Sequence, residues 1–213
     1  YEVVTTVPCL QLTPDRTPPA FVAFDLDLSS GTLTVVFQEP IFIDQVDIAQ
    51  FFLMSTNDTA NPNNVQIQLL SAVLTTTGTT AATITFDLDV GDFPNDRDRI
   101  HLSQIVGVTA YTTYILINEG AVADTAIPQN YYVDNTPKHV RDLRQDTIKP
   151  GVAYFELNME ARFLKVQFDE VIRVSSVRPN FFRLVQNPDN ENSVRYTLQS
   201  STVSTAGVTF DAS

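Results

Sequence analysis

The clearest alternation of hydrophobic and polar positions in this chain runs from Phe24 to Ile41. Phe24, Leu26 and Leu28 are separated by Asp25 and Asp27, a period of two that predicts a strand with one buried face. Ser29-Ser30-Gly31 supplies a turn. Leu33, Val35 and Phe37 then set against Thr32, Thr34 and Gln38 predict a second strand. The pair is expected to form a hairpin with a wet and a dry face, the unit of an antiparallel sandwich.

The pattern occurs twice. Phe155 to Ile172 repeats Phe24 to Ile41 at a constant offset of 131 residues. Extended back to Asp15 and Asp146, nine of 27 paired positions are identical: Asp15/Asp146, Pro19/Pro150, Phe24/Phe155, Leu26/Leu157, Leu33/Leu164, Val35/Val166, Phe37/Phe168, Glu39/Glu170 and Ile41/Ile172. A fixed period of this size marks tandem domains of one fold. A one-residue slip would turn every apolar side chain outward, so the register is well specified in both copies.

Around the hairpins, further strands are expected up to Phe51–Leu53, at Val65–Leu70, Ala82–Leu88 and Thr112–Asn118, and at Val140–Leu143. Polar loops are expected at Ser55–Asn64 and Glu119–Asn130, and one short helix at Arg99–Val106. The second copy continues through Phe181–Leu184 and Val194–Leu198 to Thr209-Phe210-Asp211, which matches Thr85-Phe86-Asp87. Nothing after it corresponds to Asp92–Tyr132. At the same offset Tyr1–Leu12 falls on Tyr132–Leu143, with Tyr1, Thr5 and Leu12 identical, so it has the pattern of the last strand region of a preceding repeat. Three segments follow: an N-terminal strand and Pro-rich linker (1–14), a first domain (15–144) and a second, incomplete one (145–213). The missing strands come either from a neighbouring subunit, with Tyr1, Val3, Val4, Cys9, Leu10 and Leu12 as the assembly residues, or from the continuation of a longer array. The chain starts at Tyr rather than Met and has no signal peptide, as expected of a processed or excerpted piece.

Charge and composition narrow the function. A net charge of −12 argues against nucleic acid. Up to Asn135 there are 16 acids and three bases, whereas from Thr136 onward nine acids meet ten bases. Either the copies have drifted, or an acidic repeat meets a basic-bearing one head to tail. No apolar run approaches the ~20 residues that cross a membrane. Cys9 is the only cysteine, so no intrachain disulfide exists, and a small buried residue is the favoured role over an interchain bridge.

The junction Asp15-Arg-Thr-Pro-Pro, the strand Phe37-Gln-Glu-Pro-Ile, Phe51–Leu53 and the run Thr113–Ala126 together resemble the bacterial-type Ig-like repeats of S-layer proteins, adhesins and long surface fibre proteins. The resemblance covers nearly the whole chain, though Ala126-Ile-Pro departs from that family's Ala-Gly-Asn. It implies an all-β protein of tandem Ig-like antiparallel β-sandwiches, the second incomplete, serving as an extracellular or cell-surface spacer, stalk or fibre subunit.

Candidate chemistry is sparse. His101 and His139 have no HExxH spacing or Cys partner, which speaks against zinc. No GxSxG, GxxxxGKS or GxGxxG occurs, so an enzyme is not expected. Asp25 and Asp27 share a strand face and imitate paired glycosidase carboxylates, but a solvated face is the simpler account. Calcium is the more serious cofactor: Asp87, Asp89, Asp92, Asp96 and Asp98 crowd one loop, and Asp15 and Asp134 near the junctions add oxygens, although the spacing is not that of an EF-hand. A solubilising acidic loop is the alternative. Asn57-Asp58-Thr59 is the one N-glycosylation acceptor, and Thr17, Pro18, Pro19 and Thr75–Thr80 are O-linked candidates by composition. The function expected is a structural subunit of an extracellular filament or surface appendage whose partners are copies of itself and glycans. The alternative is an adhesin segment that binds carbohydrate or protein through loops such as Ser55–Asn64.

Overall fold

The structure is a computed structural model that describes residues 11, 13–92, 94–190 and 192–198. The chain forms two compact units, Tyr1–Thr147 and Ile148–Ser213. Strand makes up 36% of the chain and helix 12%, so the fold is β-rich.

In the first unit the expected hairpin is β1 (Phe21–Asp27) and β2 (Thr32–Phe42), paired antiparallel with Phe24 opposite Val35 and Leu26 opposite Leu33. The turn between them needs a left-handed residue, and Gly31 takes φ +67 there. Asp27 Oδ1 closes the turn by accepting from the Ser29 and Ser30 amides. The chain continues through β3 (Phe51–Met54), β4 (Gln66–Gln68), β5 (Val73–Leu74), β6 (Thr80–Asp87), helix α1 (Asp96–Ser103), β7 (Tyr114–Ile117), β8 (Lys138–His139) and β9 (Asp142–Arg144). One sheet has the order β5-β6-β2-β1-β9 and the other β4-β3-β7-β8. All pairs are antiparallel except β1 with β9. Phe21, Phe24, Leu26, Leu33, Val35, Ile84 and Phe86 of the first sheet meet Phe51, Leu53, Ile67, Ile115 and Ile117 of the second in one buried core, with the Phe51 and Phe86 rings 5.3 Å apart edge to face.

Three elements differ from the sequence reading. The helix begins at Asp96 rather than Arg99, because Asn95 and Asp98 form a reciprocal capping box that satisfies the first turn's amides. The expected closing strand is two strands in different sheets: β8 pairs with β7, and after Val140 the chain crosses to lay β9 alongside β1. The short edge strand β5 carries too little apolar pattern to be foreseen.

The second unit rebuilds the first. Its strands β10 (Val152–Asn158) and β11 (Phe163–Phe168) pair with Phe155 opposite Val166 and Leu157 opposite Leu164, the same register shifted by 131. The irregularity between Phe21 and Ala23 recurs between Val152 and Tyr154. The 3₁₀ turns Ile43–Gln45 and Ile48–Gln50 recur as Val174–Ser176 and Pro179–Phe181. β12 (Arg183–Val185) and β13 (Arg195–Thr197) then pair as β3 and β4 do. Even the loop between them repeats: the Ser55 amide donates to the Val65 carbonyl as the Gln186 amide does to Val194. Arg162 stands in Gly31's place with φ +58, a backbone conformation that disfavours a side chain. Thr209–Asp211 lies outside the described residues.

The copies differ in burial. Phe24 and Leu26 are 0% and 1% exposed, whereas Phe155 and Leu157 are 59% and 44% exposed. Phe24→Ala is therefore expected to destabilise its unit by about 3–5 kcal/mol, and Phe155→Ala by less than about 1 kcal/mol. Amide hydrogen exchange in the two hairpins measures each effect locally, and equal losses would contradict the difference in packing.

Candidate functional site

The carboxylates that come together among the described residues are Asp15, Glu39 and Asp124, each offering an oxygen within 4.8 Å of the others. The local fold explains the meeting. Pairing of β2 with β6 shifts between Val36 and Ile41, so Gln38, Glu39 and Pro40 lie in the irregular stretch of the strand. Pro40, which has no amide donor, suits such a position. Beyond it Ile41 bridges to Asp124, and the Phe42 amide donates to the Ala123 carbonyl at 2.9 Å. Asp124 is buried and folds its own loop: Oδ1 accepts from the Ala126 and Asn130 amides at 3.1 and 2.8 Å, and Oδ2 from Asn130 Nδ2 at 2.7 Å. Asn130 Nδ2 also donates to the Asp15 carbonyl at 3.4 Å, which brings the junction segment alongside. Burial, and then the nearby Asp124 and Asp15 charges, hold the Glu39 carboxyl above its ordinary pKa. Such a set suits a hard divalent cation, although calcium takes about six to eight oxygens and three carboxylates supply part of them.

The aspartates of the 87–98 loop are bound mainly to the protein itself. Asp96 is 1% exposed and accepts from the Leu70, Ser71 and Ala72 amides at 2.8–3.1 Å while pairing with Arg99 at 2.7 Å. It therefore ties α1 to the turn between β4 and β5. Asp98 completes the helix cap, Asp89 holds Asn95 Nδ2 and Arg97, and Asp87 accepts from the Asp89 amide. Asp92 is exposed. Asp134 is not a member of the three-carboxylate group and accepts from the Thr136 amide at 2.9 Å. Of the acids singled out in the sequence, only Asp15 belongs to that group. Glu39 and Asp124 were missed, though a signal existed for Glu39: with Asp15 it is one of the two acids identical between the copies over Asp15–Ile41.

Asp25 and Asp27 face Arg141 and Arg144, which the parallel β9 brings beside β1. These acids line an open groove of roughly 290 Å³ with Ser30, Thr32 and Asp142. His139 packs against the Tyr114 ring at 5.2 Å, and His101 lies on α1, 3.8 Å from Asp146. Burial, and then the neighbouring Arg97, hold the His101 pKa below its ordinary value. Asn57, Thr59, Thr17 and Thr75 are exposed, Pro18 is half-buried and Pro19 is buried, so Pro19 is sealed from modification. Tyr1, Val3, Val4, Cys9, Leu10 and Leu12 lie outside the described residues. No described helix is long and apolar enough to cross a membrane. Comparison with family models, curated proteins and solved structures returns no match.

Asp96→Ala leaves three backbone amides without their acceptor and Arg99 without its ion pair, and is expected to cost about 3–5 kcal/mol in urea unfolding of the first unit. Glu39→Gln has the opposite sign in cation-free buffer. A carboxyl with a raised folded pKa destabilises the fold once ionised, so the variant melts higher than the parent above that pKa. The gain vanishes as pH falls to the ordinary glutamate value. With about 1 mM calcium the order is expected to reverse, a bound cation stabilising the parent more than the variant. Thermal melts across pH, with and without calcium, measure both effects.

Proposed function

We propose that this chain is a structural subunit of an extracellular filament or surface appendage, built from tandem Ig-like sandwiches joined head to tail. The observation that carries the reading is the repetition itself. Register, strand irregularity, 3₁₀ turns and loop hydrogen bonds recur at a near-constant offset, so the sequence specifies a frame twice in succession. The strand orders support the Ig-like part of the reading: β5-β6-β2-β1 opposite β4-β3-β7-β8 matches the D-E-B-A and C′-C-F-G arrangement of Ig-like sandwiches. Repeats that contact mainly their neighbours give stiffness and length, which a filament requires. The family resemblance of the junction and strand motifs supports an extracellular or cell-surface setting.

A non-enzymatic role accords with how the polar residues are used. The acids of the first unit cap a helix, close turns and pair with Arg141, Arg144, Arg97 and Arg99. Glycans on Asn57 and calcium at the three-carboxylate site belong to the same proposal as surface cover and junction stiffening. Negative-stain electron microscopy of the purified chain tests it, the expected result being unbranched polymers with a regular axial repeat. Monodisperse particles that bind a glycan or protein array instead would favour the adhesin reading.

A further inference from the structure

The first unit is closed by β9, which lies parallel to β1 with Asp142 opposite Asp25, Leu143 opposite Leu26 and Arg144 opposite Asp27. The Arg141 amide donates to the Phe24 carbonyl, and the Leu28 amide to the Arg144 carbonyl, both at 2.8 Å. Just before it, Tyr132 and Val140 fill the core at 0% and 2% exposure. In the second unit the strand equivalent to β1 is β10, and among the described residues its sheet contains only β10 and β11. The side chains that β1 buries are bare there, Val152 at 54%, Phe155 at 59% and Leu157 at 44%.

We propose that β10 accepts residues 1–13 of a second copy of this chain as a parallel strand, with Gln11 opposite Glu156, Leu12 opposite Leu157 and Thr13 opposite Asn158. This rests on the filament reading and specifies the contact that joins its subunits. The occupant follows from the repeat. Residues 1–13 carry the pattern of 132–144, with Tyr1 for Tyr132, Cys9 for Val140 and Leu12 for Leu143. The first unit already uses 132–144 for its own closure, so the N-terminal segment carries the sequence pattern of a second closing strand, and among the described residues β10 has no strand on that edge. The polar clamps differ. Arg141–Asp25 and Arg144–Asp27 pin β9 to β1, whereas the corresponding pairs are Leu10 with Glu156 and Thr13 with Asn158. The joint between copies therefore depends on backbone hydrogen bonds and on Tyr1, Cys9 and Leu12 covering the apolar face, as in strand addition to an open sheet edge.

A cysteine pair tests the register. In a Cys9→Val background, so that two thiols remain, Gln11→Cys with Glu156→Cys is oxidised under conditions that give filaments. A ladder of covalent dimers and higher polymers is expected on a non-reducing gel, and each single variant stops at dimers or monomers. Gln11→Cys with Leu157→Cys is one residue out of register and directed to the other face, so at least about tenfold less ladder is expected. A synthetic peptide of residues 1–13 is expected to shorten the filaments and to slow β10 amide exchange about tenfold or more. Filaments with no ladder, or a disulfide between positions 11 and 156 mapped within a single chain, would overturn the strand exchange while leaving the filament reading intact. Monomers by microscopy, with neither ladder nor peptide protection, would overturn both.

Discussion

The register of the β1–β2 hairpin is the constraint from which the rest of the first unit hangs. With Phe24 opposite Val35 and Leu26 opposite Leu33, one face of both strands is apolar and the other carries Asp25, Asp27, Thr32 and Thr34. Both outer edges of that hairpin are then used. β6 extends it on the β2 side and β9 on the β1 side, so a slip in the first pairing would misalign four strands at once. The irregular stretch after Val36 shifts the pairing with β6, which resumes with Ile41 opposite Ala81, and Ile41 also bridges to Asp124. Thus the apolar alternation also positions the acids that gather beside Glu39.

Buried polar groups impose a second discipline. A carboxylate taken out of water must be met by donors, and the described acids satisfy this mainly with backbone amides. Asp96 takes three amides from the turn after β4, Asp124 takes two from the loop it begins, and Asp98 takes part in the helix cap. These are places where the backbone turns and cannot pair within a sheet. The acidity of the chain is therefore partly architectural. Tight bends between short strands need acceptors, and aspartate supplies them over a short reach.

This division explains what was legible in the sequence. The hairpin, its repeat and the strand-rich class follow from period-two burial, which is local and strong. The helix start was misplaced by three residues because Asn95 and Asp98 looked like members of an acidic loop, although their spacing is that of a capping box. The crossing of the closing segment between sheets was illegible, since β8 and β9 have two and three residues and no periodicity. The acid site was half legible. Asp15 was singled out and Glu39 carried a signal as the other acid identical between the copies over Asp15–Ile41, but Asp124 joins them through a bridge to Ile41 that no local pattern encodes. The aspartates at 87–98, dense in sequence, make mostly separate local bonds, whereas the three-carboxylate group is gathered from Asp15, Glu39 and Asp124.

The contrast between the two units separates local from non-local specification. Their hairpins share register, irregularity and turn, even though Arg162 replaces Gly31 at the left-handed position. The hairpin is therefore specified by its own residues. Burial is not. Phe24 is sealed because β9 and the opposite sheet cover it, and those partners lie more than 100 positions away from it or arrive from other loops. A two-stranded ribbon with a bare apolar face is marginal in water. Closure of the second unit is thus a separate step from formation of its hairpin, and any strand that supplies it lends the unit most of its stability. A joint of that kind couples folding to assembly: the surface that recognises the next strand is the same surface that would otherwise remain exposed.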